Sequence, residues 1–430
     1  MSRYAAAGGL AALLLAATSP AALAGKTELA NVNSAGVQGN DQSSWPAISG
    51  NGAVVAFQSV ASNLAAGDKN DSSDIFVRNR VTGTTVRASV SSGGAEANDY
   101  CSSPIISKEG RRVAFYSFAT NLVPNDTNGR PDVFVRDLEA GTTVRASVGP
   151  GGQQLEGTSS LMAVSADARL VVFWLQEDLG DDRFRDTVMT RDLRAGTTVV
   201  ESRNAKGEPA NAQFSEVRMT PDGRYLAFDS GATNLVPGVR AGSSNVYLRD
   251  RAAGTFALVN VRPDGGPSVG EAITVGLSAD GNLVAFGSTA DDLVPGGGAG
   301  GRLVPFVRDM RAGKTTRLAI TPPGVEPNGD TYVYGMSGDG RRVLLLSYAS
   351  NLLPGDVNGE PDVFVHDRQT GETVLASARA NGSFARKGSS DLSAISLDGR
   401  WVAFESDAST LVPNDTNRAP DVFVRKLPAP

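Results

Sequence analysis

The sequence predicts an all-β protein, a seven-bladed β-propeller built from four-stranded antiparallel blades. Three observations support this prediction. A phrase ending in an apolar run of the Val-Ala-Phe type recurs seven times, at intervals of 55 to 59 residues. Each repeat holds four short apolar segments bounded by Gly, Pro, Asn and Asp, and these segments are too short for helices. The segment that follows residue 24 is of the kind that the last repeat lacks.

The first phrase of each repeat has the form S-x-D-G-x-x-V-A-F and predicts a β-hairpin, because its Asp-Gly lies between two apolar runs. A second phrase of the type DVFVRD follows, and a third of the type AGTTVRAS closes repeats one to six. The first phrases begin near residues 48, 106, 164, 219, 277, 336 and 395. All of them lie in the single propeller domain predicted over residues 25–430, with one blade per repeat.

The two ends of the chain predict how the ring closes. Repeat seven ends in DVFVRKLPAP without a fourth segment. Residues 25–36, GKTELANVNSAG, match the fourth segment GTTVRASVSSGG of repeat one. We therefore expect the N-terminal strand to complete the last blade, which removes an exposed sheet edge. The alternative, a linear solenoid, would need distinct polar capping repeats.

Residues 1–24 are typical of a secretory signal peptide, with Arg3, an apolar stretch over residues 4–17 and the small-x-small site Ala22-Leu23-Ala24. They predict export to the periplasm or the extracellular space. An uncleaved membrane anchor is the alternative, but the apolar stretch is short of the roughly 20 residues of a membrane span. The mature chain is expected to have no membrane span.

Composition excludes several classes of function. The net charge of −6 and the pI of about 5.1 argue against nucleic acid as a partner. One Cys and one His exclude a disulfide framework, a Cys-rich zinc site and a multi-histidine metal centre. Cys101 is expected to be buried, and His366, which takes the place of a repeated Arg, is expected to be structural. No catalytic and no cofactor-binding residue is assigned, and we expect a monomer.

The phrases S-x-D-G-x-x-V-A-F and D-V-F-V-R-D resemble the WD40-like repeats of the TolB type, the PD40 repeats. The resemblance covers essentially residues 25–430. It implies a periplasmic or extracellular propeller that presents loops to proteins or small ligands. The α/β domain that precedes the propeller of TolB has no counterpart here, so the role of TolB in the Tol–Pal system is not carried over.

A loop of the type N-L-V-P-N-D-x-N-G-x-P-D follows the second strand of four repeats. Counted from its first Asp as position 1, the loop carries Asp, Asn and Asp at positions 1, 3 and 7. Such oxygen ligands suit Ca²⁺, and the loops are candidate calcium sites. The same residues also form Asx-turns, and three ligands fall short of the six to eight that Ca²⁺ takes. The candidate ligands are Asp68, Asn70, Asp74, Asp126, Asn128, Asp132, Asp356, Asn358, Asp362, Asp415, Asn417 and Asp421.

Two classes of function remain. Because no catalytic constellation stands out, we expect a non-enzymatic scaffold or binding module for a protein, peptide or glycan. The alternative is a carbohydrate-active hydrolase or lyase that uses Asp and Glu carboxylates in the propeller channel, about 5–10 Å apart. Exposed Trp or Tyr would support sugar stacking, but Trp45, Trp174 and Trp401 lie in or beside repeat strands, where core packing is expected.

Overall fold

The computed structural model describes residues 25–181, 183–297 and 300–429. The predicted signal peptide over residues 1–24 lies outside these ranges. The described residues form 28 β-strands and no helix, so a membrane-spanning helix is not found among them. The strands form seven four-stranded antiparallel sheets, and each sheet corresponds to one repeat. The prediction of a seven-bladed, all-β propeller is confirmed.

The strands of each blade run in chain order from the ring axis outward, except that β1 joins the last blade. Blade 1 contains β2 (Ser43–Ile48), β3 (Val54–Ser59), β4 (Asp74–Asn79) and β5 (Thr84–Arg87); blade 2 contains β6 (Cys101–Ile106), β7 (Arg112–Ser117), β8 (Asp132–Asp137) and β9 (Thr142–Arg145). Blade 3 contains β10 (Thr158–Val164), β11 (Leu170–Asp178), β12 (Phe184–Asp192) and β13 (Thr197–Val200); blade 4 contains β14 (Phe214–Met219), β15 (Tyr225–Ser230), β16 (Asn245–Asp250) and β17 (Thr255–Leu258). Blade 5 contains β18 (Ala272–Leu277), β19 (Leu283–Ser288), β20 (Val304–Asp309) and β21 (Lys314–Arg317). Blade 6 contains β22 (Thr331–Met336), β23 (Arg342–Ser347), β24 (Asp362–Asp367) and β25 (Thr373–Leu375), and blade 7 contains β26 (Ser390–Ile395), β27 (Trp401–Ser406), β28 (Asp421–Lys426) and β1 (Thr27–Leu29).

The chain ends close the ring inside blade 7, as predicted. Strand β1 pairs with β28, with Thr27 opposite Arg425 and Leu29 opposite Phe423. Buried side chains reinforce the pairing, because Arg425 Nη1 donates to Thr27 Oγ1 at 2.7 Å and the Asn31 amide donates to the Asp421 carboxylate. The N-terminal strand thus supplies the pairing that the last repeat lacks.

The blades pack against one another through the aromatic residue that ends the first phrase of the repeat. Six of these seven positions are Phe and one is Leu345, and all seven are fully buried. Phe57 stacks on Phe76 of the neighbouring strand with ring centroids 6.0 Å apart, and several blades repeat this pair. A single blade is too thin to bury both of its faces, so the core forms only when the blades stack.

The hairpin turn between the first two strands of a blade lies beneath a side chain of the preceding blade. Gly52 has φ of +74°, and a Cβ built on it would lie 2.3 Å from the Trp401 ring. Glycine is required there by both the backbone conformation and the close approach. In blade 3 the turn carries Ala168 at φ of +51°. The residue that corresponds to Trp401 there is Arg112, which contacts the Asp167 carbonyl at 3.3 Å and leaves room for the methyl group.

Seven inner strands surround the ring axis: β2, β6, β10, β14, β18, β22 and β26, each in contact with its neighbours. Every inner strand carries a register shift where it pairs with its second strand. Trp45, Glu216 and Thr274 lie in these bulges with φ between +46° and +53°. A bulge re-aims a side chain. The inner strands all begin at the same end of the ring axis. We call this end the channel mouth.

Candidate functional site

A pair of carboxylates lies at the channel mouth in blade 7. Asp391 of β26 stands directly opposite Glu405 of β27. Side chains opposite each other in an antiparallel pair have Cβ atoms about 4.5–5.5 Å apart. The Tyr334 hydroxyl of blade 6 donates to Asp391 Oδ1 at 3.1 Å, and the Trp45 backbone N–H of blade 1 donates to Glu405 Oε2 at 3.4 Å. Both neighbouring blades therefore contact the pair.

The surroundings of the pair change the protonation behaviour of Glu405 and of Tyr334. Burial raises the pKa of Glu405 to about 7, although the Trp45 amide acts in the opposite direction, and the charges of Asp391 and Asp407 raise it further. Burial and the neighbouring Asp391 also raise the pKa of Tyr334, which therefore keeps its proton at neutral pH. The Tyr334 hydroxyl is then a permanent donor to Asp391 Oδ1. A carboxyl group that titrates near neutrality is suited to general acid–base catalysis.

Blade 4 carries two further carboxylates near the channel mouth, one of them in the position of Glu405. Asp229 of β15 aligns with Glu405 in the repeat, and Glu216 lies in the adjacent bulge. Asp229 is 7% exposed, and burial followed by the charge of Glu216 raises its pKa to about 6. Its Oδ2 accepts from Ser244 Oγ at 3.3 Å. Its Oδ1 is buried without a hydrogen bond of good geometry, although the nearby Thr274 amide acts to lower the pKa.

Arg218 and Tyr334 connect the two pairs. Arg218 Nη2 lies 3.2 Å from Glu216 Oε2 and donates to the Tyr334 carbonyl of blade 6 at 3.4 Å. The charges of Asp391 and Glu216 both raise the pKa of Tyr334, after burial. Glu216 of blade 4 is thus linked through Arg218 and Tyr334 to Asp391 of blade 7, and Glu216, Asp229, Asp391 and Glu405 form the candidate active site.

The sequence contained a signal for two of these residues. The position after the buried aromatic residue of the first phrase is Asp229 in blade 4 and Glu405 in blade 7. The other blades carry Gln58, Tyr116, Trp174, Gly287 and Leu346 there. An alignment of the repeats by position would therefore have singled out the two acids.

Aromatic side chains accompany the carboxylates at the channel mouth. Trp45 is 44% exposed, so the expectation that it packs in the core is wrong. The bulge in β2 turns it outward, because Trp45 itself adopts the left-handed conformation. Tyr348 is 55% exposed and its ring lies 6.1 Å from that of Tyr332. Trp401 behaves as expected, because the Arg80 guanidinium covers its ring at 4.0 Å.

The predicted metal loops lie on the same side of the ring, because each follows the end of a second strand. In blade 1, carboxylate oxygens of Asp68, Asp74 and Glu96 lie within 4.8 Å of one another. The guanidinium of Arg87 pairs with all three, at 3.5 Å from Asp68 and 3.4 Å from Asp74. Asn70 Oδ1 accepts from the Ser72 amide at 3.0 Å, which is an Asx-turn. The positively charged guanidinium of Arg87 thus lies among the carboxylates that were predicted to bind a metal ion.

The loop carboxylates of blades 2 and 7 also form ion pairs or hydrogen bonds with other side chains of the protein. Arg145 lies 3.6 Å from Asp126 and 3.4 Å from Asp132, and the Gln154 amide donates to Asp126 at 3.0 Å. In blade 7 the Gln38 amide donates to Asp415 at 3.1 Å and to Asp421 at 2.8 Å. The side-chain oxygens of Asn128 and Asn417 accept from backbone amides two residues further on.

The loop of blade 6 is different. Leu375 stands where blade 1 has Arg87, and Phe384 where blade 1 has Glu96. Asp356 Oδ1 is buried without a hydrogen-bond partner, and burial together with the charge of Asp356 raises the pKa of Asp362 to about 6. Asn358 keeps the same turn as the other loops, accepting from the Glu360 amide at 3.3 Å. Among the four predicted calcium loops, the blade 6 loop has neither the arginine that contacts the loops of blades 1 and 2 nor the glutamine that contacts the loops of blades 2 and 7.

The single cysteine, Cys101, and the single histidine, His366, both behave as predicted. Cys101 is a free, buried thiol whose pKa is raised by burial. His366 is 3% exposed, its Nδ1 lies 3.0 Å from Thr373 Oγ1, and burial lowers its pKa to about 4. Arg78 makes the corresponding contact with Thr85 Oγ1 at 3.2 Å in blade 1, so His366 replaces a structural arginine.

No protein-family model matches the chain, and no curated protein matches it in sequence. Solved structures similar to it include an oligogalacturonate lyase in complex with manganese, with a TM-score of 0.54 and 14% identity over 94% of this chain and 96% of that one. An oligogalacturonate lyase from Vibrio parahaemolyticus gives a TM-score of 0.52 and 12% identity over 95% and 92% of the two chains. The β-propeller domain of the Trilobed protease from Pyrococcus furiosus, described as an open velcro topology, gives 0.51 and 11% over 90% and 95%.

These likenesses establish the β-propeller fold, and the TolB-type repeat family stays a resemblance. They also correct the main functional prediction. The similar structures that span the whole chain include enzymes that act on a carbohydrate, and the channel mouth holds the acidic pairs that the carbohydrate-active alternative requires. The prediction of a non-enzymatic scaffold or binding module is therefore wrong. It failed because no sequence motif marks Asp391 and Glu405 as a pair, and the residues that contact the pair, Tyr334 and Trp45, come from other repeats.

Proposed function

We propose that this protein is a carbohydrate-active enzyme, a hydrolase or lyase, with Asp391 and Glu405 as its acid–base pair. The observation that carries the proposal is the placement of the pair at the channel mouth, opposite each other and contacted by Tyr334 and Trp45. The whole-chain likeness to oligogalacturonate lyases supports a carbohydrate as the class of substrate. The predicted signal at residues 1–24 supports an enzyme that acts in the periplasm or outside the cell.

The roles of the two carboxyl groups follow from their surroundings. Glu405, with a pKa of about 7, holds a proton that it can donate to the oxygen of the leaving sugar. Asp391 accepts the Tyr334 hydroxyl at 3.1 Å and acts as the base or nucleophile. The exposed ring of Trp45, next to Glu405, offers a face on which a sugar ring can stack.

The experiment is a cleavage assay on a panel of neutral, amino and acidic oligosaccharides. New reducing ends report cleavage, and ultraviolet absorbance of a new double bond separates elimination from hydrolysis. Asp391→Asn and Glu405→Gln should each lower the rate by about 10²- to 10⁴-fold, because each removes one proton-transfer group. Glu109→Gln is the matched control, since Glu109 is 69% exposed in the β6–β7 turn at the opposite end of the ring. Equal rates for all three variants, or no cleavage of any panel member, contradict the proposal.

We further propose that a divalent cation binds at the blade 6 loop, through Asp356 and Asp362. The support is the unpartnered Asp356 Oδ1 and the missing arginine. The oxygen donors fit Ca²⁺, Mg²⁺ or Mn²⁺. Ca²⁺ should raise the melting temperature, EDTA should reverse the rise, and Asp356→Asn should abolish it. Asp126→Asn is the control, because Arg145 and Gln154 already neutralise that loop, and its calcium response should stay intact. A response that survives Asp356→Asn contradicts this assignment.

A further inference from the structure

Two blades carry an exposed aromatic side chain at the same point of the repeat. The residue that follows the second strand is Phe118 in blade 2 and Tyr348 in blade 6, and these side chains are 43% and 55% exposed. The backbone N–H of each donates to the carbonyl of the residue before the inner strand, at 3.0 Å for Phe118 and 2.9 Å for Tyr348, so both lie at the channel mouth. Blades 4 and 5 carry Gly231 and Thr289 at this point. The fold therefore does not require an aromatic residue there.

In blade 2, Phe118 belongs to a cluster of three rings. The ring centroid of Tyr100 lies 6.4 Å from that of Phe118 and 6.2 Å from that of Tyr116, and the centroids of Tyr116 and Phe118 are 5.8 Å apart. All three pairs meet edge to face, so one ring of each pair keeps both of its faces free of the other ring. The buried Gln58 of blade 1 donates to the Tyr100 hydroxyl at 3.1 Å and fixes that ring. The cluster is thus an ordered aromatic surface beside blade 1.

Blade 6 has a similar aromatic surface next to the acid pair. The rings of Tyr332 and Tyr348 also meet edge to face, with an interplanar angle of 67°. Tyr332 lies in the inner strand β22 and, like Tyr334, packs against the hydrophobic core that blade 6 shares with blade 7. The hydroxyl of Tyr334 donates to Asp391 Oδ1 at 3.1 Å. The two exposed rings therefore lie on the blade 6 side of Asp391.

On the other side of the acid pair, blade 1 connects Glu405 to the cluster of blade 2. The backbone N–H of Trp45 donates to Glu405 Oε2 at 3.4 Å, and its side chain is 44% exposed. Gln58, which holds Tyr100, stands opposite Ser44, the neighbour of Trp45 in β2. Blades 6, 7, 1 and 2 follow one another around the ring, with their inner strands in contact. Aromatic rings therefore lie at the channel mouth on both sides of the acid pair.

We propose that the substrate is a polysaccharide chain that crosses the channel mouth, lying on the rings of blade 6 on one side of the acid pair and on those of blades 1 and 2 on the other; this inference rests on the proposed function. An aromatic ring offers an apolar face to the C–H groups of a sugar ring. A chain that touches both aromatic surfaces passes over Asp391 and Glu405, so the bond that breaks is internal and two shorter chains result. Hydrolysis adds one water across that bond, whereas elimination moves a ring proton to the leaving oxygen and leaves a double bond.

The test measures binding of dimers and hexamers of β-1,4-linked glucose, β-1,4-linked N-acetylglucosamine and α-1,4-linked galacturonate by titration calorimetry. The full protein carries Glu405→Gln to prevent cleavage during the titration. In at least one series the hexamer should bind at least about tenfold more tightly than the dimer, because it reaches both surfaces. Phe118→Thr and Tyr348→Thr should each weaken hexamer binding by about two- to tenfold, and both should fold, because Thr289 occupies this point in blade 5. Val81→Thr is the control, since Val81 is 81% exposed in the β4–β5 turn at the opposite end of the ring.

Cleavage by the wild-type protein is followed on hydroxyethyl cellulose, glycol chitin and polygalacturonate. A fall in viscosity that precedes the rise in reducing ends supports internal cleavage. Hexamer binding that needs both surfaces, with no polymer or oligosaccharide cleaved, upholds the path of the chain and rejects the enzymatic proposal. Release of sugars from one end at unchanged viscosity overturns this inference and leaves the enzymatic proposal standing. The inference is also overturned if no hexamer binds, if hexamers bind no more tightly than dimers, or if either threonine variant leaves hexamer affinity unchanged.

Discussion

Substitution of Asn31 by Ala tests whether the chain ends hold the ring closed. Asn31 follows β1 and is completely buried, as is the Asp421 carboxylate at the start of β28. The Asn31 amide donates to Asp421 Oδ1, and Asn31 Oδ1 accepts from the Val422 amide at 3.2 Å. One side chain therefore joins the N-terminal strand to the last strand of the chain through two buried hydrogen bonds.

The magnitude follows from those two bonds. Asn31→Ala leaves the Val422 amide without its side-chain partner, which costs about 1–3 kcal/mol. It also removes one of two hydrogen bonds to Asp421 Oδ1, which keeps Asn417 at 3.0 Å, so the free energy of unfolding should fall by about 3 kcal/mol in all. An entropy of unfolding of about 2.1 cal/mol/K per residue gives about 0.8 kcal/mol/K for a domain of roughly 400 residues. The melting temperature should therefore fall by about 4 °C.

The assay combines thermal unfolding with amide hydrogen exchange. Ser89→Ala is the matched control, because Ser89 corresponds to Asn31 in blade 1, donates to Asp74 and accepts from the Ile75 amide at 3.1 Å. Both variants should lose stability, but Asn31→Ala should speed exchange in β1 and β28, and Ser89→Ala in blade 1. A fall of less than about 1 °C for Asn31→Ala, or unchanged exchange in β28, would refute the closure argument.

Three further predictions concern the site, the buried acids and the turns. The rate of cleavage should fall above about pH 7 as Glu405 loses its proton, and Glu405→Gln should remove that limb; a wild-type rate that keeps rising through pH 9 excludes Glu405 as the acid. Burial raises the pKa of Asp74, Asp132 and Asp362 to about 6, so these groups stabilise the fold at low pH, where both states are protonated, and lose that contribution as pH rises from about 4 through 6. Urea unfolding should therefore give a higher midpoint at pH 5 than at pH 8, and the opposite order would count against the raised pKa values. Gly52→Ala should destabilise by about 2–4 kcal/mol, because the methyl group meets Trp401. Gly36→Ala has a similar φ but open space and should cost only about 1 kcal/mol, so equal losses would contradict the role of Trp401.

The sequence by itself determined the fold and its closure. Fully buried strands leave a repeating apolar phrase, and the glycine of the hairpin turn lies where a positive φ and a close approach require it, as at Gly52 of the Asn51-Gly52 turn. The closing strand was visible because Thr27 and Asn31 occupy the positions of Thr85 and Ser89 in the repeat. Local hydrogen-bonding and burial requirements are the same in every blade, so they appear in the sequence seven times over.

Only the tertiary structure decided the site. Glu216 and Asp391 are 175 residues apart in the sequence, and they are linked through Arg218 and Tyr334 because the ring brings inner strands of separate blades around one axis. Trp45 is exposed because a bulge gives it a left-handed conformation, which the repeat phrase does not encode. The predicted metal loop of blade 1 contains Arg87 because β5 runs beside it. Such contacts depend on how blades pack and which side chains face the axis, and that geometry exists only once the ring has closed.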